Sequence, residues 1–319
     1  MPTTPNGTVY SDRTFTSSKG YVSTMLVPTA IDGTGTPVHT VLFCHGSGTG
    51  DRSRTFSDSS MLTPLKNALM DAGFMLIEGH VGGDHWGNQR GVDAYVALVK
   101  DSAKLYNPIA SLIVYGRSMG GTVACHLATQ ETPVKPYVSG LYLNSAVQSL
   151  YWWSFTKNGT GQPNGPASCY GIEDVTSVSE FLAKTKGYDP LTFAKSSFAG
   201  LPIMWTMGTA DATVDPLYNT VALRDRVAGY PESSYVNSVA GGTHNGDTTG
   251  TYGLSSQEMA FFQKCRGDYL IPITDWTYYS QVKQHRVLDA RTFDGAAYSP
   301  TSLRVIRPAK TVPTYYGLD

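Results

Sequence analysis

The chain has 319 residues, of which 41% are hydrophobic and only 15% are charged, and its formal net charge is −1. This length is enough to bury one large core and leaves residues for insertions or an appendage. A net charge near zero gives no electrostatic basis for binding nucleic acid or an anionic membrane, so neither is predicted as a partner. A low charge with many Gly, Thr, Ser and Tyr residues favours an extracellular or virion-associated protein, although the compartment stays unknown.

The chain carries no recognisable targeting or redox signal. No apolar run approaches the roughly 20 residues that span a bilayer, and residues 1–7 have neither the basic nor the apolar part of a signal peptide. We therefore expect a soluble chain without a secretion leader. The four cysteines lack C-x-x-C spacing, and Cys44 and Cys125 lie in apolar segments as buried thiols would. Whether Cys169 pairs with Cys265 is left open by the sequence.

The first half of the chain alternates predicted strands and helices. Loose alternation around 14–16 and 21–28 predicts an antiparallel hairpin, and the continuous apolar run 39–44 is typical of a strand buried on both faces. The later predicted elements are a helix at 61–72, a strand at 74–77, a helix at 92–106, a strand at 111–115, a helix at 120–128 and a strand at 138–143. These crossovers permit parallel pairing, which predicts an α/β fold with a mostly parallel sheet and helices on both faces.

Residues 145–188 interrupt this alternation. An aromatic run at 151–153 precedes a loop rich in glycine and proline, and a helix is predicted at 175–183. An insertion at this place would form a cap that shapes a substrate site. The alternation then resumes with predicted helices at 190–195, 217–227 and 255–265 and predicted strands at 202–207 and 234–239.

Residues 266–319 differ from the rest of the chain. Short β-prone pieces at 270–273 and 303–306 lie among prolines, glycines and tyrosines, without an amphipathic helix. We predict two units, a catalytic domain of residues 1–265 with the cap at about 145–188 and a C-terminal appendage of residues 266–319. The appendage is predicted to dock a partner, as a homo-oligomer or in a particle assembly.

The stretch 113–124 carries the strongest chemical signal. A predicted strand ends at Tyr115, and Gly116, Ser118 and Gly120 then form a Gly-x-Ser-x-Gly pattern before a predicted helix. Such a nucleophile elbow holds the serine hydroxyl out of a strained turn, near the N-terminus of the helix. A tight turn with a solvated serine is the alternative, but it explains neither the strand before the turn nor the helix after it. We predict that Ser118 is a nucleophile.

A serine nucleophile needs a base, and the base needs an orienting carboxylate. His244 lies in a glycine-rich loop between the last predicted strand and the last predicted helix of the domain, where an imidazole can reach over the sheet edge. Its alternative is an exposed loop histidine. Asp211 and Asp215 both follow the strand at 202–207, and Gly208 gives the tight exit that favours Asp211. Asp215 precedes a proline and is better explained as a helix N-cap.

The chain order Ser, Asp, His over residues 39–265 resembles that of the α/β-hydrolase superfamily of serine hydrolases. The resemblance implies the α/β-hydrolase fold and an oxyanion hole formed by two backbone N–H groups. Mapped onto this sequence, the donors are Ser47, which follows His45 and Gly46, and Met119, which follows the nucleophile. Each such donor lowers the activation free energy by about 3 kcal/mol. A plain β-turn is the alternative for residues 45–48.

Two segments are predicted to line the substrate site. The loop 82–88 leaves its strand at the same sheet edge as the nucleophile, although it also suits a structural loop with its tryptophan packed on the neighbouring helix. The aromatic run of the cap suits stacking on a sugar or covering an apolar acyl group, although aromatic residues also give an insertion its own core. The candidate substrate-binding residues are His45, Asp84, His85, Trp86, Trp152 and Trp153.

Three functions are compatible with these features. The first is a serine esterase acting through an acyl-enzyme, with carbohydrate esters of acetyl or feruloyl type favoured by the aromatic cap. The second is a peptidase, since Gly-Arg-Ser-Met-Gly-Gly also resembles prolyl-oligopeptidase-like enzymes; about 38 residues before the first apolar strand are too few for their β-propeller. The third is a virion or surface attachment protein built on a hydrolase core. No metal-site, phosphate-loop or dinucleotide motif is present, so no metal and no cofactor is expected.

Overall fold

The structure is a computed structural model that describes residues 1–48, 52–157, 166–172, 177–244, 256–266, 269–271, 286–287 and 303–306. The predicted docking role of residues 266–319 falls mostly outside these ranges and stays a prediction. Within the described ranges, no helix combines the length and the apolar character that crossing a bilayer requires.

A central sheet of eight strands organises the fold, with spatial order β1-β2-β4-β3-β5-β6-β7-β8. The first two strands form an antiparallel hairpin that joins β4, and every neighbouring pair from β4 to β8 is parallel. The mostly parallel sheet and the N-terminal hairpin are therefore as predicted. The strands are β1 (Tyr10–Thr16), β2 (Val22–Pro28), β3 (Val38–Cys44), β4 (Met75–Gly79), β5 (Ile109–Arg117), β6 (Val138–Asn144), β7 (Pro202–Gly208) and β8 (Ser233–Val239).

Helices cover both faces of the sheet, because the buried strands are apolar on both sides. On β5, Leu112 and Val114 join one buried cluster, whereas Ile113 and Tyr115 join the other. The first cluster packs under α2, α3 and α6, and the second under α1 and α7. The helices are α1 (Thr63–Asp71), α2 (Gln89–Leu105), α3 (Gly120–Thr129), α4 (Pro166–Tyr170), α5 (Val178–Lys184), α6 (Ala222–Arg226) and α7 (Ser256–Arg266).

Several boundaries differ from the predicted ones for local reasons. Helix α2 begins three residues earlier than predicted, because the Asn88 side chain accepts a hydrogen bond from the Gly91 N–H and caps the helix there. The predicted helix at 190–195 is two short 3₁₀ turns, Pro190–Thr192 and Lys195–Phe198. The predicted helix at 217–227 opens with a π-helical turn, Leu217–Val221, before α6.

The segment between β6 and β7 is the inserted cap. It contains a π-helical turn that the sequence did not predict, Trp152–Lys157, followed by α4 and α5. Its side chains form a third buried cluster with Trp86 and Met119, so the cap packs beside the residue that follows Ser118.

Three short strands, β9 (Tyr269–Ile271), β10 (Arg286–Val287) and β11 (Leu303–Ile306), form a separate antiparallel sheet in the order β10-β11-β9. Two of them overlap the predicted β-prone pieces. Cys44 and Cys125 are fully buried as predicted, and burial raises the pKa of both thiols. No disulfide joins Cys169 to Cys265.

Glu78 is a buried carboxyl in the middle of the sheet. It accepts hydrogen bonds from the Phe56 N–H at 2.6 Å, the Ser57 N–H at 2.8 Å and the Ser57 hydroxyl at 2.6 Å, and so anchors the loop before α1. Burial raises its pKa to about 7, against the opposing effect of these hydrogen bonds.

The raised pKa of Glu78 predicts that the protein loses stability as pH rises from about 4.5 to about 7. In that window the folded state keeps a proton that the unfolded state releases, so each increment of pH favours unfolding. Across this window the free energy of unfolding is expected to fall by an amount on the order of 3 kcal/mol. Denaturant unfolding at pH 5, 6, 7 and 8 should show this decline. Glu78→Gln should flatten it, and an unchanged slope would contradict the prediction; the exposed Glu131→Gln is the control.

Candidate active site

The turn after β5 holds Ser118 in a left-handed backbone conformation with φ of +51°. A β-carbon at Gly116 would lie 2.6 Å from Ala124 Cβ, and one at Gly120 would overlap the carbonyl oxygen of Cys44. Strand and helix therefore approach as closely as the Gly-x-Ser-x-Gly pattern predicts, and neither glycine position accepts a side chain.

Hydrogen bonds from neighbouring segments fix this strained turn. The Ser118 N–H donates to the carbonyl oxygen of Asn144 at 3.2 Å. The Ser118 carbonyl accepts from Gly121 at 2.9 Å and from Val147 at 2.8 Å. The end of β6 and the start of the cap thus stabilise a conformation that would otherwise cost about 1–3 kcal/mol. The role of Asn144 could not be predicted from its residue type, because this contact is made by its backbone carbonyl.

Ser118, His244 and Asp211 lie together, although they are distant in the chain. His244 Nε2 lies 3.0 Å from Ser118 Oγ, and His244 Nδ1 lies 2.9 Å from Asp211 Oδ2. The other carboxylate oxygen, Asp211 Oδ1, accepts from the N–H groups of Thr213 at 2.9 Å and Val214 at 2.8 Å. Both oxygens are therefore engaged and the carboxylate has a fixed direction.

The environment of Asp211 keeps it ionised. Burial alone would raise its pKa, but the hydrogen bond and charge of His244, with the N–H groups of Val214 and Thr213, outweigh burial and hold the pKa below its usual value. An ionised Asp211 keeps the proton of the neutral imidazole on Nδ1, which leaves Nε2 to accept the proton of Ser118. Asp215 instead accepts from the Leu217 N–H at 2.8 Å, as expected for an N-cap.

Two hydrogen bonds join the loop of Asp211 to the loop of His244, one between backbone groups and one to a side-chain hydroxyl. The Ala210 N–H donates to the Gly242 carbonyl at 2.8 Å, and the Gly241 N–H donates to Thr209 Oγ1 at 2.8 Å. Because β7 and β8 are neighbouring parallel strands, their carboxyl ends present both loops at one edge of the sheet.

The loop after β3 lies directly against the nucleophile. A β-carbon at Gly46 would lie 3.1 Å from Ser118 Cβ and 3.7 Å from Ser118 Oγ, so only glycine allows this approach without displacement. Ser47 is the next residue of this loop, and Met119 lies at the N-terminus of α3. Their predicted role as oxyanion-hole donors fits these locations and stays a prediction.

The prediction that His45 and His85 line the substrate site is wrong, because both side chains are buried under the loop. His45 is 1% exposed and His85 0%, and their rings pack against each other with centroids 5.5 Å apart. The His85 Nδ1 accepts from the Gly87 N–H at 3.0 Å. The Tyr95 hydroxyl accepts from the His45 N–H at 2.9 Å. Burial lowers the pKa of both histidines and keeps them neutral. The two histidines therefore pack in the interior beneath the loops after β3 and β4.

Trp86 and Trp152, also predicted to bind substrate, are buried by packing against other aromatic side chains. Trp86 is 2% exposed, and its ring packs 4.9 Å from that of Trp153. Trp152 is 6% exposed and stacks on Tyr218 at 5.8 Å. One face of Trp152 is therefore already covered, which removes it as a stacking surface for a sugar. Trp153 is half-buried and remains a candidate.

Asp84 contacts the loop of Ser47 rather than open solvent alone. Its Oδ1 accepts from the Gly48 N–H at 3.1 Å, and its carbonyl oxygen accepts from Arg90 Nη2 at 3.0 Å. The carboxylate thus orders the backbone one residue after Ser47.

Asp84→Ala is expected to lower kcat about 10-fold with little change in KM, because it removes one charged hydrogen bond that holds the predicted oxyanion-hole loop. Steady-state hydrolysis of a p-nitrophenyl ester measures both constants. Asp93→Ala is the matched control, since Asp93 lies on α2 and pairs with Gln89. A loss confined to KM would instead assign Asp84 to substrate binding.

Two buried polar residues that the sequence analysis missed hold the start of the cap. Asp189 accepts from the N–H groups of Leu150 and Tyr151, and Asn219 accepts from those of Gln148 and Ser149. An isolated Asp or Asn carries no motif, so no local signal distinguished them. Across the part of the chain that the structure covers, no group of three or more His, Cys, Asp or Glu residues is arranged to hold a metal.

No protein-family model matches the chain, and no curated protein matches it by sequence. Solved structures resemble its fold. Oligopeptidase B from Leishmania major is 13% identical with a TM-score of 0.55, over 81% of this chain and 36% of that protein. Prolyl oligopeptidase B from Galerina marginata is 12% identical with a TM-score of 0.55, over 82% of this chain and 36% of that protein. A post-proline cleaving enzyme from Rickettsia typhi is 14% identical with a TM-score of 0.54, over 80% and 36%. The chain thus spans little more than a third of each, and the likeness is one of fold.

Proposed function

Because the chain has the α/β-hydrolase fold, we propose that it is a serine hydrolase that cleaves carboxylic esters through an acyl-enzyme. The observation that carries the proposal is the continuous hydrogen-bonded series from Asp211 through His244 to Ser118 at the carboxyl ends of the parallel strands. Nucleophile, base and orienting carboxylate are in contact distance, and each is held by its own backbone environment.

In the first half of the proposed reaction, Ser118 Oγ attacks the carbonyl carbon while His244 Nε2 accepts the hydroxyl proton. The N–H groups of Ser47 and Met119 stabilise the oxyanion of the tetrahedral intermediate, and Asp211 stabilises the imidazolium. His244 then gives its proton to the leaving alkoxide as the carbon–oxygen bond breaks. The acyl group remains on Ser118.

In the second half, water enters after the alcohol has left. His244 removes a proton from that water as its oxygen attacks the acyl carbon. The bond between the acyl carbon and Ser118 Oγ then breaks while the imidazolium returns the proton to Oγ. The products are a carboxylic acid and the free enzyme. The cluster that includes Trp86 and Met119 is itself buried, but the half-buried aromatic ring of Trp153 packs against it, which supports an apolar acyl group. A preference for carbohydrate esters gains no support, since Trp152 is buried against Tyr218.

A second candidate is a peptidase, since the solved structures of similar fold include two oligopeptidases and a post-proline cleaving enzyme. The same residues would act, with His244 protonating a leaving amine. The two candidates therefore differ in the leaving group and in the pocket, not in the machinery.

One panel tests both candidates. The protein is assayed with p-nitrophenyl esters of increasing acyl length and with peptide p-nitroanilides, and in parallel it is incubated with a fluorophosphonate probe followed by peptide mapping. Ester hydrolysis with labelling of Ser118, both absent from Ser118→Ala, is the expected result. Amide hydrolysis of comparable efficiency would replace the first candidate with the second. Turnover that persists in Ser118→Ala, or no labelling of Ser118, would refute both.

A further inference from the structure

A buried polar group lies beneath the active site, within the second hydrophobic cluster. The hydroxyl of Tyr142, which is 0% exposed, donates to Glu258 Oε1 and accepts from Thr206 Oγ1 at 3.2 Å. Glu258 is 3% exposed, and Tyr142, which donates to it, lies 116 residues earlier in the sequence. A carboxyl and two hydroxyl groups thus meet in the interior, on α7, β6 and β7.

The same tyrosine connects to the strand of the nucleophile. Its ring stacks on Tyr115 with centroids 4.3 Å apart and planes 16° apart. The Tyr115 hydroxyl accepts from Asn144 Nδ2 at 2.9 Å, and the Asn144 carbonyl oxygen accepts the Ser118 N–H at 3.2 Å. The contacts therefore lead from Glu258 to the backbone of the elbow.

These residues include members of the two strands whose ends lead to the proposed nucleophile and acid, β5 before Ser118 and β7 before Asp211. Tyr115 lies three residues before Ser118 on β5. Thr206 lies five residues before Asp211 on β7, and its carbonyl oxygen accepts the Ser145 N–H at 2.8 Å. Glu258 lies in the first turn of α7, the helix that follows His244 in the chain.

Stability alone is a poor explanation for this arrangement. Burying a carboxyl carries a large desolvation penalty, and an apolar replacement of similar shape is often as stable as the polar group. A hydrogen-bonded network instead selects one relative arrangement of the elements it joins. Burial and the nearby Glu258 carboxylate raise the pKa of Tyr142 well above its usual value, so its hydroxyl stays a donor.

We propose that Glu258, acting through Tyr142, is a positioning residue for the triad: it fixes the ends of β5, β6 and β7 and the start of α7 relative to one another. The proposal rests on the proposed function, because it concerns the same three residues. It assigns no contact with substrate to either Glu258 or Tyr142. It does assign them an effect on the chemical step, since a displacement of about 1 Å between Ser118 and the imidazole that Asp211 orients would lower the rate of proton transfer.

The test uses the full chain with Tyr142→Phe, Glu258→Gln and Thr206→Val, assayed for kcat and KM on a p-nitrophenyl ester and for the rate of fluorophosphonate labelling. Tyr142→Phe is expected to lower kcat and the labelling rate about 10-fold with KM within two-fold of the original. The double variant Tyr142→Phe, Glu258→Gln should be no slower than the slower single variant, because both act through one hydrogen bond. Tyr137→Phe is the control, since Tyr137 is also buried but directly precedes the opposite end of β6.

Thermal melts separate positioning from a purely structural role. A lower midpoint with unchanged kcat in the folded protein would overturn the proposal, as would a change confined to KM. Should Tyr142→Phe fail to fold, Glu258→Gln and Thr206→Val decide the matter by the same criteria. Turnover and labelling independent of Ser118 would refute the proposed function and this inference with it. Ser118-dependent turnover with kcat of all three variants within two-fold would refute the inference alone.

Discussion

His244→Ala is expected to lower kcat about 10⁴-fold or more while leaving the fold intact. The imidazole Nε2 lies 3.0 Å from Ser118 Oγ, where the proposed mechanism requires it to accept the hydroxyl proton. Without it, Ser118 attacks as a neutral hydroxyl, and only substrate binding and the oxyanion-hole donors still lower the barrier. Stopped assays with high enzyme concentration on a p-nitrophenyl ester give kcat over this range, and circular dichroism gives the fold.

Matched variants make this result specific to the proposed triad. His39→Gln is the histidine control, because His39 lies at the start of β3, at the opposite end of the strand from the active-site loop, beside Ser111. Asp211→Asn is expected to cost about 10³- to 10⁴-fold in kcat, since an amide no longer favours the Nδ1–H tautomer. Asp215→Asn should stay near the original rate. Equal losses from Asp211→Asn and Asp215→Asn would contradict the assignment of the acid.

Gly120→Ala is expected to destabilise the protein by at least about 4 kcal/mol, or to prevent soluble expression. The added β-carbon would overlap the carbonyl oxygen of Cys44, and backbone on both sides leaves no flexible side chain to move away. Urea unfolding followed by tryptophan fluorescence measures the change.

Gly73→Ala is the control for a glycine with positive φ but open surroundings. Its φ is +78°, and nothing lies within 4 Å of the place where a β-carbon would stand. The expected cost is about 1–2 kcal/mol, which is the strain of a left-handed residue alone. Similar costs for the two variants would show that α3 can shift away from β3, and would contradict the close contact that the elbow requires.

Local patterns were sufficient to predict the elements that carry the chemistry. The apolar run before Gly116 and the helical spacing after Gly120 indicated the elbow. The proline after Asp215 identified that residue as a helix N-cap and left Asp211 as the candidate acid. Each of these features depends on neighbours within a few residues. The parallel pairing of the strands could be predicted because helical crossovers of that length allow it, whereas no sequence pattern indicated the order of the strands in the sheet.

The lining of the site could not be predicted, because it depends on packing between distant segments. His85 is buried because Gly91, six residues later, leaves room for its ring; a β-carbon there would lie 2.6 Å from the ring Cγ. Trp152 is covered by Tyr218, which lies in a different connection. Likewise, no pattern within α7 indicates that Glu258 meets Tyr142.

The two hydrogen bonds between the loop of Asp211 and the loop of His244 hold these segments together, so that they would move as one. A small displacement of the two joined loops away from β5 would carry base and carboxylate together and preserve their mutual contact, while lengthening only the distance to the Ser118 hydroxyl. Thermal fluctuations at this edge of the sheet would then reversibly interrupt the activation of Ser118, without changing the His244 tautomer that the Asp211 carboxylate favours. Activity would accordingly be lost on heating before the main cooperative transition begins.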